Sequence, residues 1–381
     1  MDFDLSEEQR LLKESVDGLL ADTYDFEQRK TYGSSSKGWS ADVWKTFAEQ
    51  GLLGLPFAEA DGGIGAGPVE TSLVMEAFGR ALVLEPYFAT VVLGGGLLRH
   101  GASDAQRKAC LPSIIDGSRT AAFAQLEKDS RYDLGDVATS AKKKADGWVI
   151  RGKKHAVQHG DTADILMVTA RSRGDRRDRS GIGVFLVPAD AAGVVIKSYA
   201  THDGLRTADI AFEDVEIGAD AVLGDAENGL PLVERVADEA RAALCSEAVG
   251  AMDEALKLTV DYLKTRQQFG TAIGTFQALQ HRASDMFVAL EQARGMALYA
   301  TMAVGFNDPK ERADAIAAAK VQVGRSLKFV GQQAIQLHGG VGMTMEYRIG
   351  HYFKRLTMID STLGDADFHV RRLAAGGGLF K

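Results

Sequence analysis

Two short stretches carry residue types suited to gripping a diphosphate. Arg266-Gln267-Gln268-Phe269-Gly270 sets a cation, amides, an aromatic ring and a glycine at the end of a long amphipathic run. Gln336-Leu337-His338-Gly339-Gly340-Val341-Gly342 ends a second such run. A guanidinium offers a fixed fork of donors that matches paired phosphate oxygens. Backbone N–H groups at a Gly-Gly turn can approach phosphate or ribose closely, because no Cβ intervenes. Glycine after a helix is also the ordinary C-cap, so each stretch alone has a structural use. Taken together, on neighbouring helices, they read as a nucleotide grip.

Other chemistries find little support. There is no G-x-S-x-G elbow, no H-E-x-x-H and no cysteine cluster, so no metal is expected. Cys110 and Cys245 sit inside apolar helical patterns and read as buried thiols of a reducing compartment. No G-x-G-x-x-G follows a strand. The glycines from Gly62 to Gly67 lack the Lys-Ser/Thr of a phosphate loop and read as an inter-helix connection. His155 and His159 read as a surface pair, and His281 and His338 as structural hydrogen-bonding residues. A net charge of -8 excludes a basic nucleic-acid footprint. No apolar run approaches the ~18 residues of a membrane span. The acidic start, Met1 to Asp4, has no secretory apolar core, and the expected location is the cytoplasm.

The elements that would position the grip follow from periodicity. Residues 1–117 read as an N-terminal helical domain: Ser6 caps a helix that turns Leu11, Leu12, Val16, Leu19 and Leu20 inward, and Ser40 caps another with Val43, Trp44 and Phe47. Gly94-Gly95-Gly96 suits close helix packing. Residues 118–226 turn β-rich, with Trp148–Ile150, Ile165–Val168, Val184–Val187 and Ile210–Phe212, which predicts a small antiparallel barrel or sandwich. The charged loop from Ser172 to Ser180 reads as a solvated hairpin tip. Residues 227–381 read as a four-helix bundle. Its stripes are Leu244, Ala248, Ala251, Ala255, Leu258, Tyr262 and Ile316, Ala319, Val323, Leu327, Val330, Ala334, Leu337. Gln277 to Phe306 forms a third helix and Glu346 to Ala375 a fourth. The fold class is α+β: helices, then sheet, then bundle.

In this order the motifs resemble the acyl-CoA dehydrogenase family of flavoenzymes over essentially the whole chain. The resemblance rests on Leu5 to Arg10, Gly51 to Leu55 with Gly62 to Gly65, Gly204-Leu205-Arg206 leading to Phe212-Glu213-Asp214-Val215, Arg266 to Gly270, and Gln336 to Gly342. It implies FAD, an acyl-CoA thioester and α,β-dehydrogenation, with electron-transferring flavoprotein as acceptor. It also implies that Arg266, Gln268, Phe269, Ile273, Gln277, Gln336, Leu337, Gly339 and Gly340 hold the adenosine diphosphate of a flavin seated mainly on a neighbouring subunit.

The departures fall on the other half of that shared site. Where the family offers T-E-P and W-I-T segments to the flavin ring, this chain has Leu126-Glu127-Lys128 and Ala156-Val157-Gln158. The family's catalytic Glu position is Leu363, which cannot take a proton. A second base position used in one branch falls on Ala240, leaving neighbouring Glu239 as a displaced candidate; as a bystander Glu239 would be exposed beside Arg241. The pattern resembles the small subunits of heteromeric acyl-CoA dehydrogenases. The first expectation is therefore a heterotetramer in which an unlike large subunit carries ring pocket and base. The second is a self-sufficient homotetramer or dimer whose base is Glu239, Asp360 or Asp365. The third is a flavin-free scaffold.

Overall fold

The computed structural model describes residues 4–377; the acidic start Met1 to Phe3 and residues 378–381 lie outside them. Helices α1 (Glu7–Thr23), α2 (Phe26–Gly33), α3 (Ala41–Glu49), α4 (Pro68–Ala81), α5 (Gly95–Gly101) and α6 (Asp104–Ile115) come first. Strands β1 (Ala121–Ala124), β2 (Ser140–Lys144), β3 (Gly147–Gln158), β4 (Ile165–Arg171), β5 (Ile182–Pro188), β6 (Val194–Ala200), β7 (Arg206–Gly218) and β8 (Val222–Leu223) follow. Helices α7 (Leu230–Thr265), α8 (Gln277–Ala303), α9 (Pro309–His338), α10 (Ile349–Ser361) and α11 (Ala366–Ala375) complete the chain. This is the expected α+β order of N-terminal helices, middle sheet and C-terminal bundle. By contacts the chain forms two compact units, one of residues 4–31, 68–83 and 241 onward, the other of 32–67 and 84–240.

In the first unit α7, α8 and α9 are the long rods of the bundle. The α9 stripe is buried throughout, and of the α7 stripe Leu244, Ala248, Ala251, Ala255 and Leu258 are buried while Tyr262, at the helix end, is half-buried. A buried ion pair ties α7 to α10, with Arg355 Nε and Nη2 lying 2.5 and 2.8 Å from the Glu247 carboxylate. Helix α1 begins with a capping box, Ser6 accepting from the Gln9 N–H and the Gln9 side chain reaching back to Ser6. Leu11, however, is 59% exposed rather than inward.

The fourth bundle helix predicted over Glu346 to Ala375 is two helices. Leu363 (φ 56°) and Gly364 (φ 111°) break the chain in left-handed backbone, and Asp365 caps α11 by accepting the Phe368 N–H at 2.7 Å. Helical periodicity continues across this point, so pattern alone does not reveal it.

The second unit contains the sheet, in the order β6-β7-β3-β2-β4-β5-β8, with β1 against β4. It is mixed rather than antiparallel, since β1 and β2 both pair with β4 in parallel. Its core is Ile150, Val157, Leu166, Val168, Phe185, Ile210 and Phe212. The Ser172–Ser180 loop is exposed as expected, yet it is pinned: the buried Arg171 guanidinium donates to the carbonyls of Gly135, Val137, Arg176, Asp178 and Ser180. The Gly94–Gly96 run begins in a π-helical turn (Phe88–Gly94), and a Cβ on Gly96 would stand 3.0 Å from Val236, as close packing requires.

Candidate functional site

The two stretches of the nucleotide grip meet at one end of the bundle. Helix α7 stops at Thr265, and the chain then folds into a two-residue hairpin between Gln267–Gln268 and Thr271–Ala272. Phe269 (φ 56°) and Gly270 (φ 80°) form its turn, left-handed at both positions as such hairpins demand. Helix α9 stops at His338, where Gly339 takes φ 60°. The two helix ends are joined by Tyr262 stacked on His338, ring centroids 4.6 Å apart, with Tyr347 beside them. His338 is a buried hydrogen-bonding residue whose Nδ1 lies 2.7 Å from the Ala334 carbonyl, and burial lowers its pKa. His281 is exposed.

What this end offers is unspent. The side chains of Arg266, Gln268, Gln277 and Gln336 are exposed and make no hydrogen bond within the described residues. A Cβ on Gly339 or Gly340 would meet nothing within 4 Å. Leu337 is buried and Ile273 half-buried beneath these groups. Phe269 is 91% exposed at the turn, its ring edge-on to that of Phe276 with centroids 6.2 Å apart. A free guanidinium, free amides and open glycine backbone fit a dinucleotide's diphosphate.

The Leu363 turn has the opposite character. Arg241 donates from Nε to the Leu363 carbonyl at 2.9 Å and holds the turn in its left-handed form. Left-handed backbone is costly for a bulky residue and tends to mark functional turns, but the side chain presented here cannot move a proton. Around it lie residues that periodicity did not single out. Lys320 is buried and donates to the carbonyls of Ile359 and Asp360; burial pushes its pKa down to about 8. His369 is wholly buried against Gly364, and burial, with Arg241, Lys320 and Arg372, pushes it down to about 2. A lysine within an apolar α9 stripe was the available signal. Burial raises the pKa of Asp360, whose Oδ1 accepts from the Ala366 N–H at 3.3 Å, while Asp365 is engaged as a cap.

Glu239 is not the exposed carboxylate expected beside Arg241. A helix turns neighbouring residues about 100° apart, and Glu239 faces Arg99 (2.5 Å), His100 (2.8 Å) and Arg235 (2.9 Å) with only 10% of its side chain exposed. Burial alone would raise its pKa, but His100, Arg99 and Arg235 outweigh burial and hold it at about 2. Such a carboxylate is a weak base and a structural asset. Because its folded pKa lies below the ordinary 4.5, its stabilisation is complete above that pH and disappears as pH falls towards 2. The stability gap between the native chain and Glu239→Gln should be roughly 3 kcal/mol near neutrality and close between pH 5 and 2, as read from urea unfolding across that range.

On the sheet, the segments corresponding to the family's ring contacts are rebuilt. Glu127 is consumed internally: its carboxylate takes buried Lys154 at 2.8 Å and the N–H groups of Ala138 and Thr139. His155 and Ala156 (φ 47°) together oppose Asp209 in a β-bulge, and Asp209 Oδ1 accepts from the Ala156 N–H and the Tyr199 hydroxyl and bonds His155 Nδ1. His155 and His159 are not a surface pair. The bulge breaks the two-residue alternation, leaving His155 half-exposed and His159 buried. Among the described residues no cluster of metal-ligating side chains occurs, and no helix is long and apolar enough to cross a membrane.

Helices, sheet and bundle in this order, with an exposed Arg266 and open Gly339-Gly340 backbone at the bundle end, match the plan expected of a flavin-dependent dehydrogenase. Three family models match: acyl-CoA dehydrogenase N-terminal domain over residues 6–118, middle domain over 122–215 and C-terminal domain over 227–377. The chain belongs to the acyl-CoA dehydrogenase family. It is therefore an FAD-dependent oxidoreductase of acyl-CoA thioesters. It is 29% identical over 388 residues, all of both chains, to the probable acyl-CoA dehydrogenase YngJ of Bacillus subtilis. A solved structure of a Tcur3481-Tcur3483 steroid ACAD variant superposes with a TM-score of 0.88 at 29% identity, covering 97% of this chain and 98% of that one. The FAD complex of PigA superposes at 0.90 with 26% identity over the whole of both.

Proposed function

We propose that this chain is the flavin-completing subunit of a heteromeric acyl-CoA dehydrogenase. The observation that carries the reading is the asymmetry between an unspent diphosphate grip and a base position occupied by Leu363. Bound FAD would accept hydride from the substrate β-carbon. Arg266, Gln268, Phe269, Ile273, Gln277, Gln336, Leu337, Gly339 and Gly340 would hold its adenosine diphosphate, and an unlike large subunit would supply the ring pocket and the α-proton acceptor. The name of the steroid ACAD relative joins two designations, in keeping with a two-chain enzyme.

The substrate class rests on a finer likeness. The run Met358 to Asp367 and the N-terminal Asp4 to Gln9 resemble the small subunit of pimeloyl-CoA dehydrogenase, which makes a dicarboxylyl-CoA such as pimeloyl-CoA the proposed substrate. Electron-transferring flavoprotein is the proposed acceptor, the cytoplasm the proposed location, and 1–117, 118–226 and 227–381 the proposed domains. The flavin-to-chain ratio of the native assembly tests the reading. One FAD per two unlike chains is expected, with this chain colourless when expressed alone.

A second reading, a homotetramer with a displaced base, draws support from Asp360, whose raised pKa would suit a proton acceptor. One FAD per chain, bleached by acyl-CoA in the isolated protein, would establish it in place of the first.

A further inference from the structure

A cavity of about 850 Å³ lies within the second unit between α6 and the sheet. Much of its wall is apolar, with Ala105, Ala109 and Cys110 of α6 and Leu186, Ile217 and Val222 of the sheet region, and Ser103, Gln106, Arg119, Glu216 and Asp220 add polar groups. Alanines at i and i+4 on α6 leave open a space that leucines would fill, and both are exposed to it. Burial raises the Cys110 pKa, so its thiol is neutral and adds another apolar wall.

Of the charged side chains at this cavity, two make no hydrogen bond or ion pair among the described residues, the solvent-exposed Asp220 carboxylate and the Arg119 guanidinium. The Gln106 amide donates to the carbonyls of Asp220 and Val222, Glu216 pairs with Lys144, and the Asp220 carboxylate is on an exposed residue at the rim. Arg119 is half-buried in the lining and makes no side-chain hydrogen bond or ion pair among the described residues. A cation without a partner at the edge of an apolar chamber is complementary to an anion that carries a hydrocarbon body.

We infer that this cavity binds a medium-chain aliphatic carboxylate, its hydrocarbon chain lying along the Ala105–Ala109 face of α6 and its carboxylate on Arg119. The site is separate from the diphosphate grip and does not depend on how the flavin is shared.

Titration of the FAD-loaded assembly with decanoate, followed by calorimetry, tests this. Saturable binding is expected. It should weaken about tenfold in Arg119→Gln, which removes one charge-assisted hydrogen bond, and at least as much in Ala105→Trp, which fills the chamber. Decanol, alike in chain but uncharged, should bind about as weakly to the native protein as decanoate does to Arg119→Gln. Flavin content should stay unchanged in both variants. Absence of saturable binding, or decanoate binding that either substitution leaves intact, would overturn the inference.

Discussion

Replacing Arg266 by alanine is expected to strip FAD from the assembled enzyme while leaving the chain folded. The guanidinium is exposed and makes no hydrogen bond or ion pair within the described residues, so its loss breaks nothing that holds the bundle together. What it removes is a charge-assisted bond to a diphosphate, about 1.5–3 kcal/mol, or roughly ten- to a hundredfold in flavin affinity. Arg266→Lys should recover part of this, because it keeps the charge but loses the planar fork. The measurement is flavin absorbance per assembly at a fixed free-FAD concentration, beside the urea midpoint of the chain. A surface change of this kind should move stability by less than about 0.5 kcal/mol. Unchanged flavin occupancy would remove Arg266 from the grip.

A large stability effect is expected at Gly250. There α4 and α7 cross with their backbones in contact: a Cβ on Gly250 would stand 1.8 Å from the Glu76 carbonyl oxygen, and one on Gly79 would stand 1.9 Å from that of Glu247. Neither helix can yield without straining the contacts that flank the crossing, Ser72 to Ser246 at 2.8 Å and Arg80 Nε to the Asp253 carboxylate at 3.5 Å. Overpacking against backbone is the costly kind, and Gly250→Ala should lose about 3 kcal/mol, seen as a lower urea midpoint with an unchanged slope. Gly295 gives the opposite result. It lies in α8, exposed, with nothing within 4 Å of its would-be Cβ. Gly295→Ala should therefore gain about 0.5–1 kcal/mol, since alanine restricts the unfolded chain at no cost to the helix.

Much of this architecture was legible in the residue pattern because burial imposes period. The α9 stripe and the sheet-forming runs appear where alternation placed them, since a helix or strand with one face in a core must repeat at 3.6 or 2. The stretches beginning at Arg266 and Gln336 were legible for a related reason: residue type and short spacing can be read without knowing distant neighbours. Positions governed by backbone geometry were less readable. The break at Leu363 interrupts no hydrophobic period. The bulge at His155 and Ala156 changes which face a side chain takes without changing composition, and it misled the reading of the His155–His159 spacing.

From the chain of letters alone came the order of helices, sheet and bundle, the two segments proposed to hold an adenosine diphosphate, and the absence of an acid at position 363. Each is a matter of residue type and local spacing. Only the folded molecule decided which charges are spent: Glu239 is locked by Arg99, His100 and Arg235 and Glu127 by Lys154, whereas Arg266 and Arg119 make no side-chain hydrogen bond or ion pair among the described residues. Whether a charge is available depends on what long-range packing brings within about 4 Å of it, and that distance is set by tertiary contacts that no local spacing encodes.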